Sequence, residues 1–313
     1  MGVPLNLATI DIGTNATLLL VAKAGGNDVE VLADRAEITR LGRGIGKAAG
    51  GGSGALGAEG IAATLAVLRD YAAIVRQHQA RLAVVGTEAL RQAVNAEDFL
   101  RPAAEILGVP VEVIDGGREA ALTFRATAQS FPAPTRAGWL AVVDIGGGST
   151  EIILAQQGTV RFETSLPLGS VRLTEGFIPG DPPTAPELAA ADREIATQLV
   201  AVPFPAAPVV LCGVAGTVTT LAAMAQNLAS YDATKVHGWT LTSVALELQR
   251  HRLANATQPQ REMMVGLDPR RADVILAGAM ILQALLRRSG APGVLVSDRG
   301  IRWGLLYELR ETS

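Results

Sequence analysis

The chain has 313 residues, 49% hydrophobic and 18% charged, with 16 prolines; at roughly 150 residues per domain this suggests about two packed domains and excludes disordered and fibrous classes. Lys+Arg number 27 against 30 Asp+Glu, a net charge of −3, so no whole-protein field draws nucleic acid or an acidic membrane, and any polyanion needs a local basic site. The single cysteine, Cys212, excludes an internal disulfide and a thiol-rich metal site, and it suits a reducing cytoplasm.

The N-terminal MGVPLNLATIDIG has no basic segment, and Asp11 interrupts its apolar run, so a signal peptide is not expected. Strands are predicted where β-branched or apolar runs lie, at 7–12, 17–22, 82–85, 111–114, 139–145, 150–155, 209–212 and 293–297. The segment 42–57 holds eight glycines in sixteen residues and predicts a mobile, linker-like loop. Ile61, Leu65, Leu68, Ala72 and Val75 recur at the spacing of one helix face and predict a helix over 56–79. Another helix is expected from Asn95 as N-cap, with Glu97 and Asp98 in its first turn, where the macrodipole favours acids. The stretch 195–231 carries no charge, but Pro203, Pro205, Pro208, Gly213 and Gly216 break it. It predicts a linker, a buried strand and the start of a helix, not a membrane span. The apolar run 274–286 is also too short to span and predicts a core helix.

Strands interleaved with helices argue for α/β layers, and the adjacent runs near the start resemble antiparallel hairpins, so mixed sheets are expected. The expected domains are 1–128 and 129–313, with the last helix free to pack back on the first. An internal echo supports this division: ATIDIGTNATLLLVA at 8–22 aligns without gaps on AVVDIGGGSTEIILA at 141–155. Each copy reads as an apolar strand, an Asp-Ile-Gly corner, small polar residues and a second apolar strand, a repeat of a whole domain. Two such domains facing each other would bring both corners to one cleft.

A hairpin with a glycine-rich corner lets backbone N–H groups approach an anion closely and adopt positive φ, and phosphate is the natural guest. In the first copy the corner is Gly13, Thr14 and Asn15; in the second it is Gly146, Gly147, Gly148, Ser149 and Thr150. Asp11 and Asp144 end their strands, placed to hold Mg²⁺ or a water beside the phosphate, and Glu151 is positioned for the same task. A third turn, CGVAGTVTT at 212–220, follows a buried strand and opens a helix, so Gly213, Gly216 and Thr217 are further phosphate-binding candidates. The three turns together resemble the site shared by sugar kinases, actin and heat-shock chaperones, in which two ribonuclease H-like domains clamp a nucleotide or phosphate.

Within that superfamily the chain resembles the exopolyphosphatase and guanosine pentaphosphate phosphohydrolase family over nearly its whole length. The resemblance is carried by DIGTN (11–15), VVGTEALRQAVNAEDFL (84–100), VIDGGREAALTF (113–124), DIGGGSTE (144–151), CGVAGTV (212–218) and SDRGIRWGLLYE (297–308). It implies two ribonuclease H-like domains with mixed sheets, an active site in the interdomain cleft, and Mg²⁺-dependent removal of terminal phosphate from polyphosphate or guanosine pentaphosphate. It further implies that Glu119 is the catalytic carboxylate and Arg91 a phosphate-binding arginine, for which a guanidinium is chemically suited. A cytoplasmic enzyme without nucleic-acid or membrane partners is expected, with a homodimer as a possible state. A kinase of the same superfamily and a non-catalytic phosphate or nucleotide sensor are the rival readings.

Two positions depart from the family pattern. Arg118 replaces the first glutamate of G-x-E-E-A, and Ala16 stands where a hydroxyl residue often follows the asparagine. Arg118 is expected either to lower the Glu119 pKa or to grip substrate. His78, His237 and His251 show no metal-ligand spacing, and neither a G-x-S-x-G elbow nor a Walker-type loop is present.

Overall fold

The computed structural model describes residues 5–25, 28–45 and 54–312; the centre of the glycine-rich segment, 46–53, where a mobile loop was expected, lies outside them. The described chain forms two compact units, the first running to Ala126 and resuming at Ile301, the second covering Thr127–Gly300.

The first unit is built on strands β1 Leu5–Ile12, β2 Ala16–Gly25, β3 Asp28–Ile38, β4 Arg81–Gly86 and β5 Glu112–Val113, in the order β3-β2-β1-β4-β5. The first three form an antiparallel meander, and β1–β4 and β4–β5 are parallel. Both faces of the central strands are buried, which is why they read as unbroken apolar runs. In β2, Leu19 and Val21 join a cluster with Leu68 and Phe99, whereas Leu20 and Ala22 join Trp303 and Leu306 on the other face. Helices Ala58–Gln77 and Glu97–Leu107 supply the first cover. Helix Ile301–Glu311 supplies part of the second, and a Cβ on its Gly304 would lie 2.6 Å from the Leu122 carbonyl carbon, so only glycine permits this approach.

The second unit repeats the plan. Its strands are β6 Trp139–Ile145, β7 Thr150–Gln156, β8 Thr159–Leu166, β9 Val209–Val214, β10 Thr240–Thr242 and β11 Gly293–Val296, in the order β10-β11-β9-β6-β7-β8. An antiparallel meander again leads into parallel pairs, β6–β9 and β9–β11, with β10 added antiparallel at the edge. The apolar run 274–286 lies within helix Ile275–Ser289, whose Leu276, Met280 and Leu285 sit in the core of this unit. Among the described residues no helix is long and apolar enough to cross a membrane.

The eight predicted strands are present, and β3, β8 and β10 are additional. All three are edge strands, where one side of the backbone has no partner; in β3 and β8 charged residues such as Glu30, Arg35, Arg161 and Glu163 replace an apolar run, and β10 is only the three residues Thr-Leu-Thr. The expected N-cap at Asn95 is corrected: Ala96 occupies that position. The Asn95 side chain instead accepts from Leu56 N at 2.7 Å and donates to Leu56 O at 3.3 Å, tying down the end of the glycine-rich segment.

Candidate active site

In the first unit the candidate residues gather at the carboxyl ends of β1, β4 and β5, where parallel strands deliver their loops. Asp11 is buried one residue before the end of β1. The corner closes with Gly13 N–H donating to Ala16 O at 2.9 Å. The Asn15 carbonyl accepts from Thr39 N and Arg40 N, both at 3.0 Å, and the Thr14 carbonyl from Gly42 N at 2.9 Å. In a trans peptide the carbonyl of one residue and the N–H of the next point in opposite directions. With the Thr14 and Asn15 carbonyls turned onto residues 39–42, the N–H groups of Asn15 and Ala16 are turned away from them, the orientation an anion needs.

Next to this corner, Thr87 N donates to Ile12 O at 3.1 Å and starts the short helix Glu88–Gln92. Its Arg91 is held at three points: Nη1 donates to Ile114 O and, at 2.7 Å, to Glu119 Oε1, while Nη2 pairs with Glu88. Glu119, only 3% exposed, lies in the first turn of helix Gly116–Ser130. Burial pulls the Arg91 pKa down, but the hydrogen bonds and charges of Glu119 and Glu88 outweigh it, so the value rises above the ordinary one. The guanidinium predicted for phosphate thus holds the catalytic candidate, and Glu88, which sequence reasoning passed over, completes the pairing.

Arg118 is engaged with the last helix. Its guanidinium forms a two-pronged pair with Glu308 of the last helix, Nη1 to Oε2 at 2.8 Å and Nη2 to Oε1, and its backbone N–H caps onto Asp115 Oδ1 at 2.8 Å. That hydrogen bonding to Glu308 raises the Arg118 pKa, and it lowers that of Glu308.

In the second unit, β6 and β7 meet at the other corner, closed by Gly146 N–H donating to Ser149 O at 3.0 Å. The Gly146 carbonyl accepts from Ser170 N at 2.9 Å, that of Gly147 from Val171 N at 2.9 Å, and that of Gly148 from Arg172 Nε at 2.9 Å. By the same peptide geometry the N–H groups of Gly147, Gly148 and Ser149 turn away from helix Ser170–Phe177. A Cβ on Gly169 would lie 2.6 Å from the Gly148 carbonyl carbon and nearer still to Gly147, so Gly169 lets helix and loop meet. Gly13 and Gly146–Gly148 are not among the residues with left-handed φ, so close approach, not positive φ, is what the corners use. The Thr150 hydroxyl donates to Leu168 O and that of Thr217 to Ile145 O at 3.2 Å; each has one proton, spent inside the fold.

Asp144 and Glu151 stand directly opposite each other in the β6–β7 register, both buried. Two ionised carboxylates side by side in a buried row repel each other unless a cation lies between them. Their hard oxygen donors suit Mg²⁺, which characteristically takes one or two carboxylates and completes its shell with water and substrate phosphate. Among the described residues no cluster of three or more His, Cys, Asp or Glu side chains forms a closed metal cage.

At the third turn, β9 passes into helix Ala215–Ala225 through Ala215, whose φ of 66° is left-handed and costs a residue with a Cβ roughly 1–2 kcal/mol. Gly213 is required by packing, because a Cβ there would lie 2.9 Å from Val218 and Val294 side-chain atoms. Gly216 lies beneath the Arg271 guanidinium, whose Cζ would be 2.5 Å from an added Cβ. Burial lowers the Arg271 pKa. This arginine was absent from the sequence reading; its only local signal is the DPRR turn at 268–271.

Each unit carries a mixed sheet in which an antiparallel meander, closed by a hairpin corner, leads into parallel strands, and the comparisons say which proteins share this two-unit fold. The family model for the Ppx/GppA phosphatase family matches residues 20–313. Exopolyphosphatase 2 of Mycobacterium tuberculosis is 36% identical over 97% of this chain and 98% of its own, and exopolyphosphatase 1 of the same species 29% over 96% and 87%. A crystal structure of the Aquifex aeolicus Ppx/GppA family member superposes with a TM-score of 0.81 at 34% identity, covering 99% of both chains. The chain belongs to the Ppx/GppA phosphatase family, and it is a phosphohydrolase.

Proposed function

We propose that the protein is an Mg²⁺-dependent exopolyphosphatase that releases terminal orthophosphate from inorganic polyphosphate with water as acceptor. The observation that carries this reading is the buried Glu119 carboxylate, fixed by an arginine anchored on the Ile114 carbonyl beside the first corner. Paired with the Arg91 guanidinium, it is held in one orientation. In the proposed step a water oxygen bonds to the terminal phosphorus, the bridging P–O bond breaks, the water proton passes to Glu119, and the shortened chain leaves with the bridging oxygen.

Within the first unit the groups in question are Glu119, Arg91 and the N–H groups of the 13–16 corner. Within the second they are the 146–149 corner, Arg271 over Gly216, and Asp144 and Glu151, the residues that would hold Mg²⁺. Bound there, the cation would neutralise charge developing on the phosphate oxygens. The exopolyphosphatase names of the two mycobacterial relatives support polyphosphate as the substrate.

The test is phosphate release from long-chain polyphosphate and, separately, from guanosine pentaphosphate, with Mg²⁺ and with chelator. Faster release from polyphosphate, abolished by chelator, is expected. Release from guanosine pentaphosphate alone would move the substrate assignment to the nucleotide, and undiminished release in chelator would remove the metal.

A further inference from the structure

We infer that Ser165 is a positioning residue for the divalent cation, fixing the Glu151 carboxylate before the ion arrives; the inference rests on the reading of Asp144 and Glu151 as the residues that hold it. The registers place three polar side chains in one row across three strands: Asp144 opposite Glu151 in β6–β7, and Glu151 opposite Ser165 in β7–β8. The Ser165 hydroxyl donates to Glu151 Oε1 at 2.7 Å. On the side of this row away from the corner β7 and β6 are apolar, with Ile152, Ile153, Val142 and Val143 all buried.

The fold itself does not require a polar row here. In the first unit the corresponding positions are Asp11, Leu18 and Ala36, with neither a second acid nor a hydroxyl. The glutamate and the serine therefore occur together, in the unit where two carboxylates face each other. A glutamate has three side-chain torsions to freeze, and a cation that meets a carboxylate already locked by a hydrogen bond gains affinity from that preorganisation. Such outer partners typically change metal affinity tenfold to a hundredfold.

The experiment titrates the metal-free protein with Mn²⁺, read by electron paramagnetic resonance, alongside melting curves without metal. S165A should bind Mn²⁺ about tenfold more weakly than wild type at an unchanged melting temperature. S165T, which keeps the hydroxyl, should recover most of the affinity, and E151Q should lose it. If alanine impairs folding, S165C, close in volume but a weaker donor, takes its place with the same expected loss. Wild-type affinity in S165A together with loss in E151Q overturns the positioning role alone, as does failure of S165T to recover binding. Unchanged Mn²⁺ binding in E151Q, or none in the wild type, removes the underlying reading of the cation site.

Discussion

The hairpin of β1 and β2 and that of β6 and β7 close alike, with corner hydrogen bonds of 2.9 and 3.0 Å and corner carbonyls turned onto the following segment. Behind the corners they diverge. The row across the first sheet holds Asp11, Leu18 and Ala36, and that across the second holds Asp144, Glu151 and Ser165. Backbone topology is thus reproduced with its outward-turned N–H groups, while the residues that face each aspartate across the sheet, Leu18 and Ala36 in one unit and Glu151 and Ser165 in the other, assign different chemistry. The proposed base and its arginine lie in the unit with the apolar row, and the proposed cation site lies in the other.

The largest expected effect tests the first half of this contrast. Glu119→Gln keeps the shape but cannot accept a proton, so kcat for phosphate release should fall about 10²- to 10⁴-fold with the melting temperature retained. Near-normal turnover would leave Glu119 as a helix-end acid serving only Arg91. The second half is tested by titrating activity with Mg²⁺ in Asp144→Asn and Asp11→Asn. The first should need about tenfold or more extra Mg²⁺, the second distinctly less, because no second acid shares its row. Equal shifts would erase the asymmetry.

The corners themselves can be sharpened by two glycine substitutions. Gly169→Ala drives a Cβ into the backbone of Gly147 and Gly148, which cannot move without displacing the loop. Gly42→Ala meets side-chain atoms instead, Ala89 Cβ at 2.9 Å and the Thr14 methyl, which can yield. A loss of about 1–3 kcal/mol in denaturant unfolding is expected for Gly169→Ala and less for Gly42→Ala. The reverse order would mean that the 39–42 segment, not the helix at 170, is the stiffer support.

The smallest effect separates structure from catalysis. Arg118 depresses the Glu308 pKa below its ordinary 4.5, so their pair stabilises the fold above that value and is lost as pH falls through the depressed one. Arg118→Ala should therefore cost at most about 1 kcal/mol near neutral pH, since the pair is partly exposed, and nothing at a pH below the Glu308 value. Thermal melts across that range check it, and kcat/KM for polyphosphate should stay unchanged. A selective loss on polyphosphate would return Arg118 to the substrate.

Much of this was legible in the chain. The two corners announced themselves through their echo, and doubly buried strands through apolar runs. Edge strands β3 and β8 did not, because a half-covered strand tolerates charge. Nor did pairs distant in sequence: Arg118 and Glu308 are 190 residues apart, and Arg271 reaches Gly216 only once β9 and its helix are in place. Local periodicity carries no trace of such partners. Asn95 shows the opposite failure, a sound local capping signal overruled by a bond to Leu56.

Helix Ile301–Glu311 belongs to the first unit although the whole second unit precedes it in the chain. On the ribosome, the second unit is therefore fully synthesised before the residues that cover Leu7, Leu20 and Ala22 exist. The segment made first is finished last, and until then it carries an open apolar face that a chaperone would be expected to hold. Limited proteolysis of nascent chains halted before residue 301 should accordingly cut within 5–126 and spare 127–300; equal protection of both would show that the first unit needs no closing helix.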